Sequence, residues 1–276
     1  MQGTPVIREA AGTPAALGRV VIVTGNYGSG KTEVSVNWAL ALAAAATPEA
    51  PVSIIDLDIA NPYFRCREAA DLMRAHGVDV VVPPGEQIHA DLPIILPQIK
   101  GLIQQSRGLV LLDVGGDDVG ARVLASFAGS FGDHEMLQVV NAFRPFTDTV
   151  EGCLRIMDEI QASSRLAVTG LISNAHLMEE TDVATVLHGA DLARQVAEAR
   201  GLVLRFVTAP AAVADEVKEH LPASVPVLAI ERHMLPPWIE RAKGAPGATQ
   251  TTTQSRRGQD RFGLLTAQAS RDPEGS

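Results

Sequence analysis

Residues 25 to 33 read Gly25-Asn26-Tyr27-Gly28-Ser29-Gly30-Lys31-Thr32-Glu33, and the first eight fit the spacing G-x-x-x-x-G-K-[ST]. Each residue type there suits the holding of a polyphosphate. The glycines at 25, 28 and 30 permit backbone angles and close approaches that a Cβ forbids, so successive N–H groups can point at phosphate oxygens. Lys31 is placed to reach the β- and γ-phosphates, and Thr32 offers its hydroxyl to Mg2+. A helix starting at this point would add the positive end of its dipole. Asn26, Tyr27, Ser29 and Glu33 belong to the same stretch and count with it as nucleotide-lining candidates.

Three further segments end in residues suited to the same chemistry. The run Ile54-Ile55-Asp56-Leu57-Asp58 brings two carboxylates to a strand's end, and Asn61-Pro62 then terminates the element. A turn beginning at Leu57 would free Asp58 to swing toward Mg2+ or the attacking nucleophile, and Asp56 or Asp58 would position water. The competing reading makes one of them the cap of a helix over residues 65–76. Arg65 and Arg67 are either phosphate or partner contacts, or solvated helix charges. The run Leu109-Val110-Leu111-Leu112-Asp113 closes four apolar residues on an aspartate, the pattern in which a carboxylate holds Mg2+. Gly116, three positions on, completes an Asp-x-x-Gly element whose backbone N–H senses a γ-phosphate. The third segment is Ser173-Asn174-Ala175-His176-Leu177. A guanine clamp would read Asn-Lys-x-Asp, but Ala175 and Leu177 stand in place of the lysine and aspartate. Adenine is favoured, with Asn174 as a base contact, and His176 reads as a solvated loop residue.

These residues need a scaffold that collects strand ends on one edge. Short β-rich runs alternate with helix-patterned segments: Val20 to Thr24, Val52 to Asp56, Asp79 to Val82, Leu109 to Asp113, Met136 to Val140, Leu166 to Ser173, Leu202 to Thr208 and Val225 to Ile230. Several are nearly continuous apolar runs, as in strands covered on both faces. Helices are expected over Lys31 to Ala46, Val119 to Phe131 and Asp182 to Arg200, among others. The alternation predicts an α/β fold, a doubly wound, mostly parallel sheet of about seven to eight strands with helices on both faces. Ligands in such folds sit beyond the carboxyl ends of the strands.

Composition narrows the partners. At 276 residues, with 46% hydrophobic and 20% charged residues, the chain has the make-up of a soluble globular protein. A formal net charge of -9 argues against nucleic acid. Cys66 and Cys153 lie far apart, so no disulfide framework is expected, nor a zinc or iron-sulfur site made by one chain alone. Cys153 falls on a helical stripe with Phe146, Val150, Met157 and Ile160 and reads as core. There is no secretory signal and no apolar run of the ~20 residues a membrane span needs. The expected location is cytoplasmic. Residues 1–18 read as an N-terminal extension, 19–235 as the phosphate-loop domain and 236–276 as a disordered tail, with Phe262-Gly263-Leu264-Leu265 its one apolar cluster.

With the loop, Asp56-Leu57-Asp58, Asp113-Val114-Gly115-Gly116 and Ser173-Asn174 in this order, the stretch from Arg19 to Ile230 resembles the MinD/ParA/CobQ-type ATP-binding proteins. These are P-loop NTPases of the SIMIBI class, a group that includes dethiobiotin synthetase and nitrogenase reductase. The match is similar in particular to bacterial ATP-binding proteins whose loop reads Gly-Asn-Tyr-Gly-Ser-Gly-Lys-Thr-Glu. The resemblance implies ATP and Mg2+ as ligands, ATP hydrolysis, and a switch acting on an unidentified protein or small-molecule partner. The alternative it offers is an ATP-dependent small-molecule kinase or ligase, with Asn61 to Arg67 and Pro83 to Pro97 forming the acceptor pocket. One departure bears on assembly. MinD- and ParA-like members carry a second lysine where this chain has Asn26, so a homodimer stays open but not one built on that lysine.

Overall fold

Eight runs of β-branched and apolar residues become eight strands, all parallel, in the computed structural model, which describes residues 13–16, 18–58, 66–81, 97, 99–115, 118–127 and 129–234. The strands are β1 (Val20–Gly25), β2 (Val52–Leu57), β3 (Val78–Val81), β4 (Leu109–Val114), β5 (His134–Val140), β6 (Gly170–Ser173), β7 (Val203–Pro210) and β8 (Val227–Ile230). Their order is β3-β2-β4-β1-β5-β6-β7-β8. Every residue of β1, β2 and β4 is buried. Full cover on both faces explains why β1 and β4 each open with four consecutive apolar residues.

The cover comes from α1 (Lys31–Ala43), α2 (Ala70–Ala75), α3 (residues 99–105), α4 (Asp118–Phe127), α5 (Val150–Ser164), α6 (Val183–Arg200) and α7 (Ala214–His220). On one face Val21, Val23, Ile54, Leu111 and Phe206 pack with Val34, Trp38 and Leu42 of α1 and Met73 of α2. On the other, Ile22, Leu112 and Met136 pack with Leu124 and Phe127 of α4 and Ile160 of α5. Farther along that face Leu171 packs with Val196 of α6, and Val207 with Val217 of α7. The Trp38 and Phe206 ring centroids lie 4.8 Å apart, and Trp38 Nε1 donates to the Pro14 carbonyl at 2.8 Å. Residues 14–16 are therefore tied to the folded body, with Ala16 against its core. No helix among the described residues is long and apolar enough to cross a membrane.

The winding makes the site. From β1 the chain leaves over the α1 face, whereas from its neighbours β4 and β5 it leaves over the opposite face through α4 and α5. Diverging connections open a crevice at the carboxyl ends of these central strands, where a ligand can enter.

Local details depart from the sequence reading for identifiable reasons. β2 continues through Leu57, so no turn begins there, and Asp58 N–H donates to Asp56 Oδ1 at 3.1 Å. The helix expected over 65–76 opens as a 3-10 turn, Cys66–Ala69, before α2. Phe146 leaves the stripe assigned to it. It is 67% exposed with φ of 70°, and Thr149 Oγ1 accepts from Gly152 N–H at 3.1 Å, so the cap starts α5 after Phe146 has been passed. Cys153 and Met157 are buried as expected, and burial pushes the Cys153 thiol up to about 12, which keeps it inert.

Candidate functional site

The glycine loop joins β1 directly to α1. Gly25, with φ of 146°, lies so close to β5 that a Cβ would sit 2.5 Å from the Val139 carbonyl oxygen. Gly30, at φ 83°, occupies the residue before α1, where a Cβ would lie 2.3 Å from Asn174 Nδ2. Within the loop Ser29 N–H donates to the Asn26 carbonyl at 3.2 Å, and Lys31 Nζ donates to the same oxygen at 3.0 Å. The lysine thus arches over the loop. The turn after β5 is stitched to it from outside: Asn26 Nδ2 donates to the Pro145 carbonyl and Arg144 Nε to the Gly28 carbonyl, both at 3.0 Å. Asn26 Oδ1 accepts from Tyr27 N–H at 2.8 Å, while the Tyr27 side chain stands in solvent. Arg144 had no motif to announce it, because its position beside the loop comes from β1 and β5 being paired.

Beneath the lysine lie three carboxylates. Asp56 and Asp113 are register partners on β2 and β4. They alternate onto the same face as Ile54 and Leu111, which is the face covered by α1. Asp58 follows two residues after Asp56, and all three are buried. Asp113 is 0% exposed; its Oδ1 accepts from Ser35 Oγ at 3.3 Å, and its Oδ2 has no hydrogen-bond partner. Burial first, then the charges of Asp56 and Asp58, lift its pKa from 3.8 to about 7, against the Thr32 hydroxyl and the Lys31 ammonium, which pull it down. A buried carboxylate with one oxygen accepting from Ser35, beside a threonine hydroxyl and two further carboxylates, fits a divalent cation. Among the described residues no group of three or more His, Cys, Asp or Glu side chains forms a metal cage.

Asn174, at the end of β6, is 1% exposed, and both ends of its amide are occupied. Nδ2 donates to the Ser29 carbonyl at 2.7 Å, and Oδ1 accepts from Thr208 Oγ1 of β7 at 2.6 Å. It braces the loop, and one N–H and one Oδ1 lone pair of the amide are left over. Asn174→Ala is expected to cost about 1–3 kcal/mol in denaturant unfolding. With Asn174 a brace alone, the substitution should weaken nucleotide binding without altering the preference between ATP and GTP; an altered preference would assign Asn174 the base contact as well. His176 is not a solvated loop residue. It is half-buried against the loop, and burial, with the charges of Arg144 and Arg232, lowers its pKa from 6.5 to about 4.

The Glu33 side chain is engaged away from the glycine loop. Its carboxylate accepts from the backbone N–H groups of His233 at 2.7 Å and Met234 at 3.0 Å. One turn on, Asn37 exchanges both amide hydrogen bonds with the Glu231 backbone, each at 2.9 Å. The first turns of α1 therefore fasten the segment after β8. Gly116, Arg65 and most of the two stretches named for an acceptor pocket lie outside the described residues, as does the chain after Met234.

No protein-family model matches the chain, and no curated protein does. Solved structures similar to it include FtsY from Mycoplasma mycoides, at 17% identity and TM-score 0.44, covering 67% of this chain and 58% of that one. The cell division protein FtsY from Thermotoga maritima is 16% identical with TM-score 0.47, covering 71% and 63%. The 54 kDa signal recognition particle protein from Aeropyrum pernix, solved in complex with GDP, is 20% identical with TM-score 0.47, covering 75% and 43%. This chain spans 43% to 63% of the length of those proteins.

Proposed function

We propose that this chain is a Mg2+-dependent ATP-binding protein and ATPase that acts as a nucleotide-controlled switch on a partner. The observation that carries the reading is one arrangement: Lys31 over a glycine loop at the start of α1, above the buried Asp56, Asp58 and Asp113. Thr32, Asp113 and Asp58 would hold Mg2+, which neutralises charge on the β- and γ-phosphate oxygens when bound. Lys31 binds the phosphates, and Asp58 or Asp56 orients water. The backbone of Gly116, just beyond β4, would sense the γ-phosphate. The chain passes directly from the carboxylates of β2 and β4 into the segments that follow them, which supports a partner surface responding to the state of the phosphates. A cytoplasmic location and a homodimer remain part of the proposal.

Adenine is assigned because Ala175 and Leu177 offer neither the cation nor the carboxylate of a guanine clamp. Displacement of a fluorescent ATP analogue by unlabelled nucleotides checks this. ATP is expected to compete at concentrations about tenfold or more below GTP, the discrimination left by one unmatched polar group. Stronger competition by GTP refutes the base assignment, and binding without turnover under any condition reduces the protein to a nucleotide-binding regulator.

A further inference from the structure

We propose that His176 is a contact residue for the bound nucleotide and takes up a proton as the nucleotide binds, so that the site tightens in mild acid. Three strand ends converge on the outer shoulder of the loop. Arg144 arrives from the turn after β5 and donates to the Gly28 carbonyl at 3.0 Å. Arg232 arrives from the segment after β8 and is paired with Glu179. His176 arrives from the end of β6, two residues past the Asn174 brace, with Nε2 3.5 Å from the place a Gly30 Cβ would occupy. The turn beyond it is fixed, since Thr181 Oγ1 accepts from Leu177 N–H at 2.8 Å and donates to the Met178 carbonyl at 2.7 Å. The ring is thus held against the residue that opens α1, half-buried.

The charged groups facing the ring are the guanidinium groups of Arg144 and Arg232, and with burial they keep it neutral. A polyphosphate held by the N–H groups of the loop would bring several negative charges near Gly30, the residue the ring faces. Opposite charge within a few ångströms favours the imidazolium, so the ring returns toward its ordinary range and donates to the ligand. A group whose pKa rises on binding takes up a proton, and affinity increases as pH falls through the pKa of the complex.

The inference rests on the nucleotide reading, and the test separates the two. ADP is titrated calorimetrically, with EDTA and without Mg2+, into the full-length protein and into His176→Gln, at pH 6 and pH 8, in buffers of different ionisation enthalpy. If the complex restores the ring to about 6.5, the wild type gains about fourfold in affinity from this group at pH 6, with uptake of roughly three quarters of a proton. The variant should lack both increments, and protonation of ADP itself cancels in the comparison. His176→Asn provides the same comparison if the glutamine form does not fold. Equal proton uptake by wild type and variant overturns the role of His176 and leaves the nucleotide site standing. No binding of ADP by the wild type at either pH, in EDTA and again with Mg2+ in excess, overturns the nucleotide reading, and this inference with it.

Discussion

Replacement of Lys31 by alanine is expected to lower ATP turnover by about 10²- to 10³-fold, the loss typical of removing one charge-stabilising donor from a preorganised site. The lysine is 7% exposed and already directed over the loop, with Nζ on the Asn26 carbonyl at 3.0 Å. Little reorganisation separates that position from a phosphate placed in the loop. A second effect adds to the first. Lys31 is one of two groups that restrain the rise in the Asp113 pKa, so its loss leaves that carboxyl more protonated near neutral pH and less able to hold Mg2+. Lys31→Arg is not expected to rescue, because a planar guanidinium does not replace a compact ammonium at a point contact. Phosphate release by wild type and variant at matched concentration, with thermal melts to show that both are folded, decides the matter. Equal turnover would remove the loop from the mechanism.

What the sequence disclosed and what it withheld divide along a physical line. The strands were legible because a strand covered on both faces must be apolar at every position, and Val20 to Val23 or Leu109 to Leu112 carry that demand in one dimension. The loop was legible because its chemistry is local. The roles of Asn174, Arg144 and His176 depend on which strand lies beside which, and no periodicity reports that β6 brings an amide to the Ser29 carbonyl. Glu33 shows the same limit in reverse. Its place next to Thr32 suggested a ligand contact, yet the helix turns its carboxylate toward residues 233 and 234, two hundred positions away in sequence. Phe146 was misassigned because helical spacing continues past a helix start, and only the Thr149 cap marks the boundary.

Asn26 acquires a structural purpose that spacing alone did not suggest. Its side-chain amide accepts from Tyr27 N–H and donates to the Pro145 carbonyl. Beside it Arg144 is committed to the Gly28 carbonyl. The loop is braced by its own chain on two sides, from β5 through these contacts and from β6 through Asn174.

Asp113→Asn is expected to stabilise the metal-free protein at pH 8 while impairing its chemistry. The sign follows from the direction of the shift. The carboxyl titrates near 3.8 in the unfolded chain and at about 7 in the folded one. Below the first value both states hold the proton; as pH rises past it the unfolded chain releases its proton first, and stability falls until the folded carboxyl has also ionised. The loss amounts to at most about 4 kcal/mol. Asparagine avoids it. Its oxygen can still accept from Ser35 Oγ, and its amide presents a donor toward Asp56 and Asp58 in place of a third negative charge. Thermal melts without Mg2+ should show the wild type losing stability between pH 5 and 8 and the variant losing less. Mg2+ with ATP should then raise the melting temperature of the wild type at pH 8 but scarcely that of Asp113→Asn, whose turnover should fall by about 10²-fold, as for other lost charge-stabilising groups. A variant less stable than the wild type at pH 8 without Mg2+ would mean that the carboxylate is not strained by its neighbours. The metal-side role of Asp113 would then rest on its position alone.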